Sequence, residues 1–219
     1  ENPKIIFISP YEVNIDAKGV ALPFDVEFSG LAAGGNGPTS KFVIKSKLDV
    51  KELNISGGWL RAYNRRLHAD ELIVMKTPAQ KRLDIDSSVI VINGDGNIDN
   101  DSFKDASFDI VDSTATVDCE NTRIVLKGDE AIFNGGGNMY SMLEFKRDGH
   151  IYSLGDADTF GVLSLKSNHE YHLTPDTSVV ILNSIVVTDT LFANEHTRIQ
   201  RFGLKRKNED GSLSACPTT

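Results

Sequence analysis

A short β-strand unit recurs about eight times along the chain and constrains the fold more than any other feature. Each unit has an apolar-x-apolar triplet, two to four polar residues, and a second short run in which apolar residues alternate. The triplets begin at Leu48, Leu67, Leu83, Phe108, Ile124, Leu143, Leu163 and Ile185. Successive starts are 19, 16, 25, 16, 19, 20 and 22 residues apart, and a period of roughly 20 is typical of solenoid architectures.

The repeat predicts an all-β fold, a right-handed parallel β-helix in which each unit forms one coil of a solenoid. β-branched residues dominate the apolar positions, and the body of the chain lacks convincing helical periodicity. The residues that begin the units would then stack inside the coils as one continuous apolar ladder. An antiparallel β-sandwich or jelly roll also has short strands and frequent turns, and it remains the alternative.

Glycine, proline and the limits of the repeat predict three regions. Residues 1–37 would form a short irregular N-terminal β cap, or the end of a preceding β-domain, and finish in a glycine-rich linker. Residues 38–206 would form the β-helix coils. Residues 207–219 would form a polar C-terminal tail.

Charge and hydropathy exclude two kinds of partner. The chain has 31 acidic and 23 basic residues, and its net charge of −8 repels nucleic acid and anionic membrane surfaces. No apolar stretch approaches the 18 or so residues of a membrane span. The start at Glu1, without methionine or a signal peptide, indicates a processed or excised chain. We therefore expect neither nucleic-acid binding nor membrane insertion.

The cysteines and histidines do not predict a disulfide framework or a metal site. Cys119 and Cys216 are too few for a disulfide framework or a thiolate zinc site. They would be independent thiols, with Cys119 in the core, or a single bridge that pins the tail to the coils. His169 and His172 are the only histidines close in sequence, and three residues apart on a strand they would point to opposite faces. A shared metal is not expected there.

The longest interval between units, from Leu83 to Phe108, predicts an exposed corner insertion at 94–102. Oxygen side chains occur there at every second position, a pattern that hard cations such as calcium prefer. The candidate ligands are Asp95, Asn97, Asp99 and Asp101. The central glycine and terminal glutamate of an EF-hand loop are missing, and Asn and Asp are also ordinary turn residues. The loop is thus either a weak calcium site or a plain polar turn.

Two further groups of residues bear on carbohydrate chemistry. Parallel β-helices include polysaccharide lyases and glycosidases, which use acidic side chains in a cleft. Four aspartates in corresponding corners are expected to stack as an acidic strip: Asp84, Asp86, Asp109 and Asp112. Four aromatic residues are candidates for sugar stacking: Trp59, Tyr63, Tyr140 and Tyr152. Aspartate is also a common corner residue, and aromatic residues in β-coils are also packing residues, so neither group assigns a catalytic role.

Part of the repeat resembles a known family of β-helix modules. The residues that carry the resemblance are Ala131–Phe145, Asp158–Leu165, His169–Leu173 and Val186–Asn194. They are similar to modules of large, adhesin-like surface proteins that gliding and gut bacteria export by the type IX system. The resemblance covers residues 107 to 200, and Asp176 and Glu195 stand where glycine is usual, so those corners would take another turn type.

The resemblance implies a secreted or cell-surface bacterial polypeptide that is mostly non-catalytic. We expect a structural or adhesive segment that displays its coil faces to glycans or to surface and secretion proteins. The resemblance carries no catalytic residues, and calcium is the only candidate cofactor. The alternative is a polysaccharide-active enzyme, a lyase or a glycosidase, built on the same coils.

Overall fold

The computed structural model describes residues 3–30, 40–99, 102–152, 157–166 and 169–173, together with short strand segments further along the chain. Side chains are described in these five ranges, apart from 97–99 and 102–105, and at Phe192. Among the described residues all regular elements are β-strands. The strands are β1 Lys4–Ser9, β2 Glu12–Ile15, β3 Asp25–Gly30, β4 Lys41–Ile44, β5 Leu48–Asp49, β6 Glu52–Arg61, β7 Arg66–Ala69, β8 Glu71–Val74, β9 Lys81–Asp84, β10 Val89–Ile92, β11 Asn97–Asp99, β12 Ser102–Asp105, β13 Phe108–Ile110, β14 Thr116–Asp118, β15 Arg123–Leu126, β16 Ala131–Asn134, β17 Met139–Phe145, β18 Gly149–Ile151, β19 Asp158–Leu165, β20 Glu170–Leu173, β21 Val179–Val187, β22 Thr190–Ala193, β23 Thr197–Ile199, β24 Lys205–Lys207 and β25 Leu213–Ala215.

Two large sheets contain nearly all of these strands. The first has two arms that share β6: arm A in the order β1-β3-β6-β8-β13-β16-β18-β20-β22, and arm B in the order β2-β4-β6-β9-β14. The second, sheet C, has the order β5-β7-β10-β15-β17-β19-β21-β24-β25, and β23 also pairs with β21. Strands that are distant in sequence are therefore neighbours throughout.

Neighbouring strands of the large sheets run parallel, apart from β24 and β25. The 83 to 92 region and the 108 to 119 region, for example, pair through β9 and β14 in parallel. Parallel pairing agrees with the expected fold and does not fit an antiparallel sandwich in the described part of the chain. Since parallel neighbours need a long connection, each pair joins one unit of the repeat to the next.

Apolar residues at equivalent positions form a separate ladder in each arm and in sheet C. The ladder side chains that the structure describes are buried, except those of Val13 and Val117, which are partly buried. The sheet C ladder is Leu48, Leu67, Ile90, Ile124, Leu143, Leu163 and Ile185. The arm A ladder is Val26, Leu53, Leu72, Phe108, Phe133, Ile151 and Leu173. The arm B ladder is Val13, Phe42, Leu60, Leu83 and Val117.

Two members of the predicted single ladder therefore lie elsewhere. Leu83 and Phe108 are buried, but Leu83 is in arm B and Phe108 is in arm A. The cause is that a unit before Leu126 contributes three strands rather than two, and all three have similar apolar runs. Ile90 takes the sheet C position, and the longest interval in that ladder runs from Ile90 to Ile124.

The ten-residue strand β6 passes from arm A to arm B at Gly57 and Gly58. Gly58 has φ +85, in the left-handed region that favours glycine. Gly30 of β3 packs against this bend, and a Cβ on Gly30 would lie 2.4 Å from the Gly58 Cα. Close approach of two backbones thus makes the corner between the arms.

The regions outside the repeat also form strands. β3 pairs with β6 and β2 pairs with β4, so strands on either side of the glycine-rich segment 31–39 belong to the same sheets. That segment, where the domain boundary is predicted, lies outside the described residues. The insertion after Ile92 contains an antiparallel hairpin of β11 and β12, and the predicted tail contributes β25.

Candidate functional site

The outer face of arm B carries a row of charged and aromatic side chains. Side chains alternate between the two faces of a strand, so the neighbours of the buried arm B ladder point outward. The arm B row is Glu12, Lys41, Trp59, Arg82 and Thr116, which are register partners on adjacent strands. Parallel pairing thus aligns residues that are far apart in sequence.

Cations contact the Trp59 ring from both neighbouring strands. The Lys41 Nζ lies 4.8 Å from the ring centroid and the Arg82 Cζ lies 4.6 Å from it. Lys41 also forms an ion pair with Glu12 at 2.9 Å. Cation–π contacts of this kind contribute roughly 0.5–2 kcal/mol each. Since its neighbours cover the ring, Trp59 is packed within the row, and it does not present a bare platform for stacking on a sugar.

A second set of register partners crosses the same face: Arg61, Asp84 and Asp118. The Arg61 Nε lies 3.3 Å from the Asp84 Oδ2. Burial, and secondly the negative charge of Asp118, raise the pKa of Asp84 above its ordinary value. A carboxyl group held in this way can keep a proton to a higher pH than a solvated aspartate does.

A shallow depression of about 150 Å³ lies where the arm B strands end. We call it the basic depression, and it is lined by Val43, Ile44, Lys45, Arg61, Tyr63 and Arg65. Tyr63 is 48% exposed, which is high for a large aromatic side chain. Arg65 is half-buried, and its Nε donates to the Ile44 carbonyl at 3.3 Å. The depression thus combines an accessible aromatic ring with three cations.

Hydrogen bonds to the next corner of the chain hold this corner in place. The Asn64 amide donates to the Asp86 carbonyl at 3.0 Å, and the Arg65 amide donates to the Ser88 Oγ at 3.1 Å. The Ser88 hydroxyl in turn donates to the Ala62 carbonyl. Asn64 has φ 52, a conformation that asparagine tolerates better than most residues. Tyr63 and Arg65 therefore project from a fixed backbone.

The structure separates the four predicted sugar-stacking aromatics. Trp59 lies in the arm B row, and Tyr63 lies in the corner that follows β6. Tyr140 is fully buried, and its hydroxyl donates to the Gly135 carbonyl at 2.9 Å, so it cannot contact a ligand. Tyr152 is half-buried after β18 of arm A. Only Tyr63 has the exposure that stacking requires.

The predicted acidic strip is wrong, because its four aspartates lie at different places around the coil. Asp84 is on arm B, and Asp109 is on arm A, where it accepts from the Asn134 amide group at 2.8 Å. Asp86 caps a corner by accepting from the Asn121 amide. Asp112 pairs with Lys81. Because these units have three strands, similar apolar runs end at different corners, and the aspartates that follow them do not align. The same cause displaces Leu83 and Phe108 from the sheet C ladder.

A buried ion pair joins Lys81 and Asp112, which sequence reasoning did not link. The Lys81 Nζ lies 2.5 Å from the Asp112 Oδ2, and the two side chains are 0% and 4% exposed. The same Nζ donates to the carbonyls of Thr77 and Ala79. Burial works to raise the pKa of Asp112, but hydrogen bonds from Lys81 and Thr114 outweigh it and lower that pKa. The pair connects the start of β9 to the turn that follows β13.

Histidines one period apart stack on the outer face of arm A. The ring centroids of His150 and His172 are 4.8 Å apart, and those of His172 and Phe192 are 4.9 Å apart. Burial, and secondly the charge of His172, lower the pKa of His150 to about 4. The sequence signal was present, because His150 and His172 are 22 residues apart. His169 lies apart from the stack and bonds Asp148 at 3.0 Å.

The calcium site predicted in the insertion stays a prediction. The Asp95 Oδ1 accepts from the Asp129 amide at 2.6 Å and so fixes the start of the insertion to the next unit. The side chains of Asn97 and Asp99, and all of Asp101, lie outside the described residues. Where side chains are described, no three His, Cys, Asp or Glu residues are grouped closely enough to hold a metal ion.

Cys119 is a free, buried core residue, and burial raises its thiol pKa to about 12. Cys216 lies outside the described residues. A thiol with so high a pKa is a poor nucleophile near neutral pH.

No protein-family model, curated protein or solved structure matches the chain. The described residues include no helix that is long and apolar enough to cross a membrane. The functional assignment therefore depends on the surface groups of the chain itself.

Proposed function

We propose that this chain is a non-catalytic, adhesive segment of a secreted or cell-surface bacterial protein, and that its arm B face binds glycans. The fold proposed for it is a right-handed parallel β-helix. Parallel pairing of successive units and the three buried ladders support that architecture. The resemblance of residues 107 to 200 to modules of exported adhesin-like proteins supports the location.

The basic depression carries the proposal. Aromatic rings with one open face, set beside hydrogen-bonding groups, suit a sugar ring, which has apolar and polar surfaces. Tyr63 supplies the ring, and Lys45 and Arg65 supply donors on the same depression. The site is smaller than the roughly 300–1,000 Å³ of enclosed ligand pockets, so it would contact one unit of a polymer from the side. Several such units displayed on a surface would add avidity.

Glycan-array binding tests the proposal. The chain should bind at least one polysaccharide class saturably, and Tyr63→Ala should weaken binding about 10-fold, which corresponds to the loss of one stacking contact. Tyr11→Ala is the matched control, because Tyr11 is 76% exposed and precedes β2, at the opposite end of the arm B strands. Binding that Tyr63→Ala leaves unchanged, or the absence of any binding, would contradict the proposal.

The polysaccharide-active enzyme stays a second candidate because of Asp84 and Asp118. These carboxylates are register partners, and the raised pKa of Asp84 is a property of a general acid. An enzyme predicts release of reducing ends or unsaturated products from a bound polysaccharide. Asp84→Asn and Asp118→Asn should each abolish release while binding persists. Saturable binding without any product from the unmodified chain would exclude this candidate.

A further inference from the structure

We propose that the basic depression is selective for acidic glycans, whose carboxylate or sulfate groups it binds with Lys45 and Arg65 while Tyr63 stacks on the sugar ring. This inference rests on the proposed glycan-binding function and adds the class of ligand.

The charge of the depression is opposite to that of the chain. The whole chain has a net charge of −8, yet the six residues that line the depression include three cations and no acid. Arg61 is partly neutralised by Asp84 at 3.3 Å. Lys45 is exposed, and its amine has no ion pair or hydrogen bond to the described residues. The surplus positive charge therefore lies on Lys45 and Arg65.

The charge of Lys45 also acts on Glu12, in the arm B row. The pKa of Glu12 is lowered first by its hydrogen bond with Lys41, and the charges of Lys45 and Arg61 lower it further. Because Lys41 already binds the Glu12 carboxylate at 2.9 Å, Glu12 is committed to the arm B row. A ligand anion would then meet Lys45 and Arg65 without displacing an existing ion pair.

Arg65 is held in an orientation suited to an anion. Its Nε donates to the Ile44 carbonyl and its Nη1 donates to the Asn64 carbonyl at 3.0 Å. A guanidinium has five N–H donors, so three remain for a ligand, and a planar pair of them matches a carboxylate or sulfate. Because the side chain is already fixed, little conformational entropy is lost on binding.

A neutral glycan would not use these groups fully. Hydroxyl groups can accept from a cation, but a charge-assisted bond is roughly twice as strong as a neutral one. The affinity for a glycan should therefore depend on its anionic group more than on the identity of its sugar ring. The difference in affinity between acidic and neutral glycans should decrease as salt screens exposed charges.

Polygalacturonate and its fully methyl-esterified form are the decisive pair of probes, because they share one sugar backbone and the methyl ester removes the carboxylate charge. Calorimetric titration should show polygalacturonate binding about 10-fold or more tightly than the ester, which corresponds to one charge-assisted contact. Dextran sulfate and dextran form a second pair that tells sulfate from carboxylate recognition. Tighter binding of the anionic member in either pair supports the inference.

The following variants distinguish an effect of charge on binding from an effect on the stability of the fold. Lys45→Ala removes an amine without described partners and should reduce polygalacturonate binding about 10-fold with no change in melting temperature. Arg65→Lys keeps the charge but loses the planar fork, and should weaken binding less than Arg65→Ala. Arg66→Ala is the matched control, because Arg66 is exposed on the adjacent strand of sheet C and should bind normally.

The results that would refute the preference for acidic glycans differ from those that would refute glycan binding itself. Equal binding of the acidic and neutral members in both pairs, with Tyr63 still required, would overturn the acidic preference and keep the glycan-binding function. Loss of polygalacturonate binding in Arg66→Ala but not in Lys45→Ala would also overturn it. No binding of any glycan would refute both.

Discussion

The units before Leu126 and those after it are built differently. The earlier units contribute strands to arm A, arm B and sheet C, and so have three sides. In the part of the chain that the structure describes, arm B ends at β14, and in the later units long strands such as Met139–Phe145 and Asp158–Leu165 alternate with short strands of arm A. The third side is what presents the charged and aromatic row. The earlier units thus carry the face that we propose binds glycans, and the later units mainly continue the stack.

The later units replace the third side with aromatic packing. Phe133 lies at the centre, with its ring 5.0 Å from Phe108, 5.4 Å from Tyr140 and 5.5 Å from Phe160, measured between centroids. All four rings are fully buried. Edge-to-face and stacked pairs at these distances add about 0.5–1.5 kcal/mol each beyond burial. The change from three strands to two therefore occurs at a dense aromatic cluster.

Removal of the central ring should have the largest effect on stability. Phe133→Ala should lower the free energy of unfolding by about 3–5 kcal/mol, because it leaves a cavity among three other rings. Urea denaturation followed by circular dichroism measures it. Phe192→Ala is the control, since Phe192 is 47% exposed and should cost far less. Equal effects of the two substitutions would contradict the view that the aromatic cluster around Phe133 stabilises the change from three strands to two.

Breaking the buried ion pair should come next. Lys81→Met leaves the Asp112 carboxylate buried without its cation and should cost about 3 kcal/mol. The double variant Lys81→Met, Asp112→Leu should recover much of that loss, since it removes the unpaired charge as well. A double variant no more stable than Lys81→Met would show that the pair does not act as a unit.

Acid should weaken the later units first. The pKa of His150 is lowered to about 4 from an ordinary value of 6.5, so between these values the unfolded chain binds a proton that the folded chain excludes. The free energy of unfolding therefore falls as the pH decreases through this window. Asp148 opposes the effect, since it favours the charged histidine. Glu130, Glu170 and His172 line a surface depression together with His150 and Asp148.

Hydrogen exchange at two pH values tests the location of this effect. As the pH decreases from 6.5 towards 4, protection should fall first in 149–151 and 170–173, and His150→Gln should remove most of the difference. The Asp112 carboxylate has a lowered pKa, so its contribution is lost only below the ordinary value of 3.8. Earlier loss of protection in arm B would contradict the assignment to His150.

The insertion should have the smallest effect. Asp95→Ala removes an acceptor for the Asp129 amide and should cost about 1 kcal/mol without calcium present. A calcium site at Asp95, Asn97, Asp99 and Asp101 predicts a rise in melting temperature on calcium addition, since ligands that bind only the folded state stabilise it. The rise should disappear in Asp99→Asn, Asp101→Asn. An unchanged melting temperature would identify a plain turn.

The period of the repeat was sufficient for the parallel stack and for the sheet C positions of Leu48, Leu67 and the ladder from Ile124 onward. It misplaced Leu83 and Phe108 because an apolar run is the same whether the strand joins arm A, arm B or sheet C. Three-strand and two-strand units also differ little in length. Within β6, which both arms share, a backbone bend at Gly57 and Gly58 marks the change from one arm to the other, and glycine has many other uses in a chain.

The site was predictable in part. Tyr63 was one of four aromatic residues that the sequence analysis named as candidates for sugar stacking. Lys45 and Arg65 were missed, because β4 and β6 pair with an offset of 18 residues, so aligning the two strands puts Lys45 opposite Tyr63 and not opposite Arg65. The fixed orientation of Arg65 depends on hydrogen bonds between corners, which no local pattern reveals.

Hydrogen exchange with and without polygalacturonate tests the central claim, that the arm B face of the three-sided units binds acidic glycan. We expect added protection in 41–45 and 59–65, none in 139–145 or 158–165, and no change in any segment when Lys45 and Arg65 are both alanine. Protection confined to the later units, or protection that persists in the double variant, would contradict the claim.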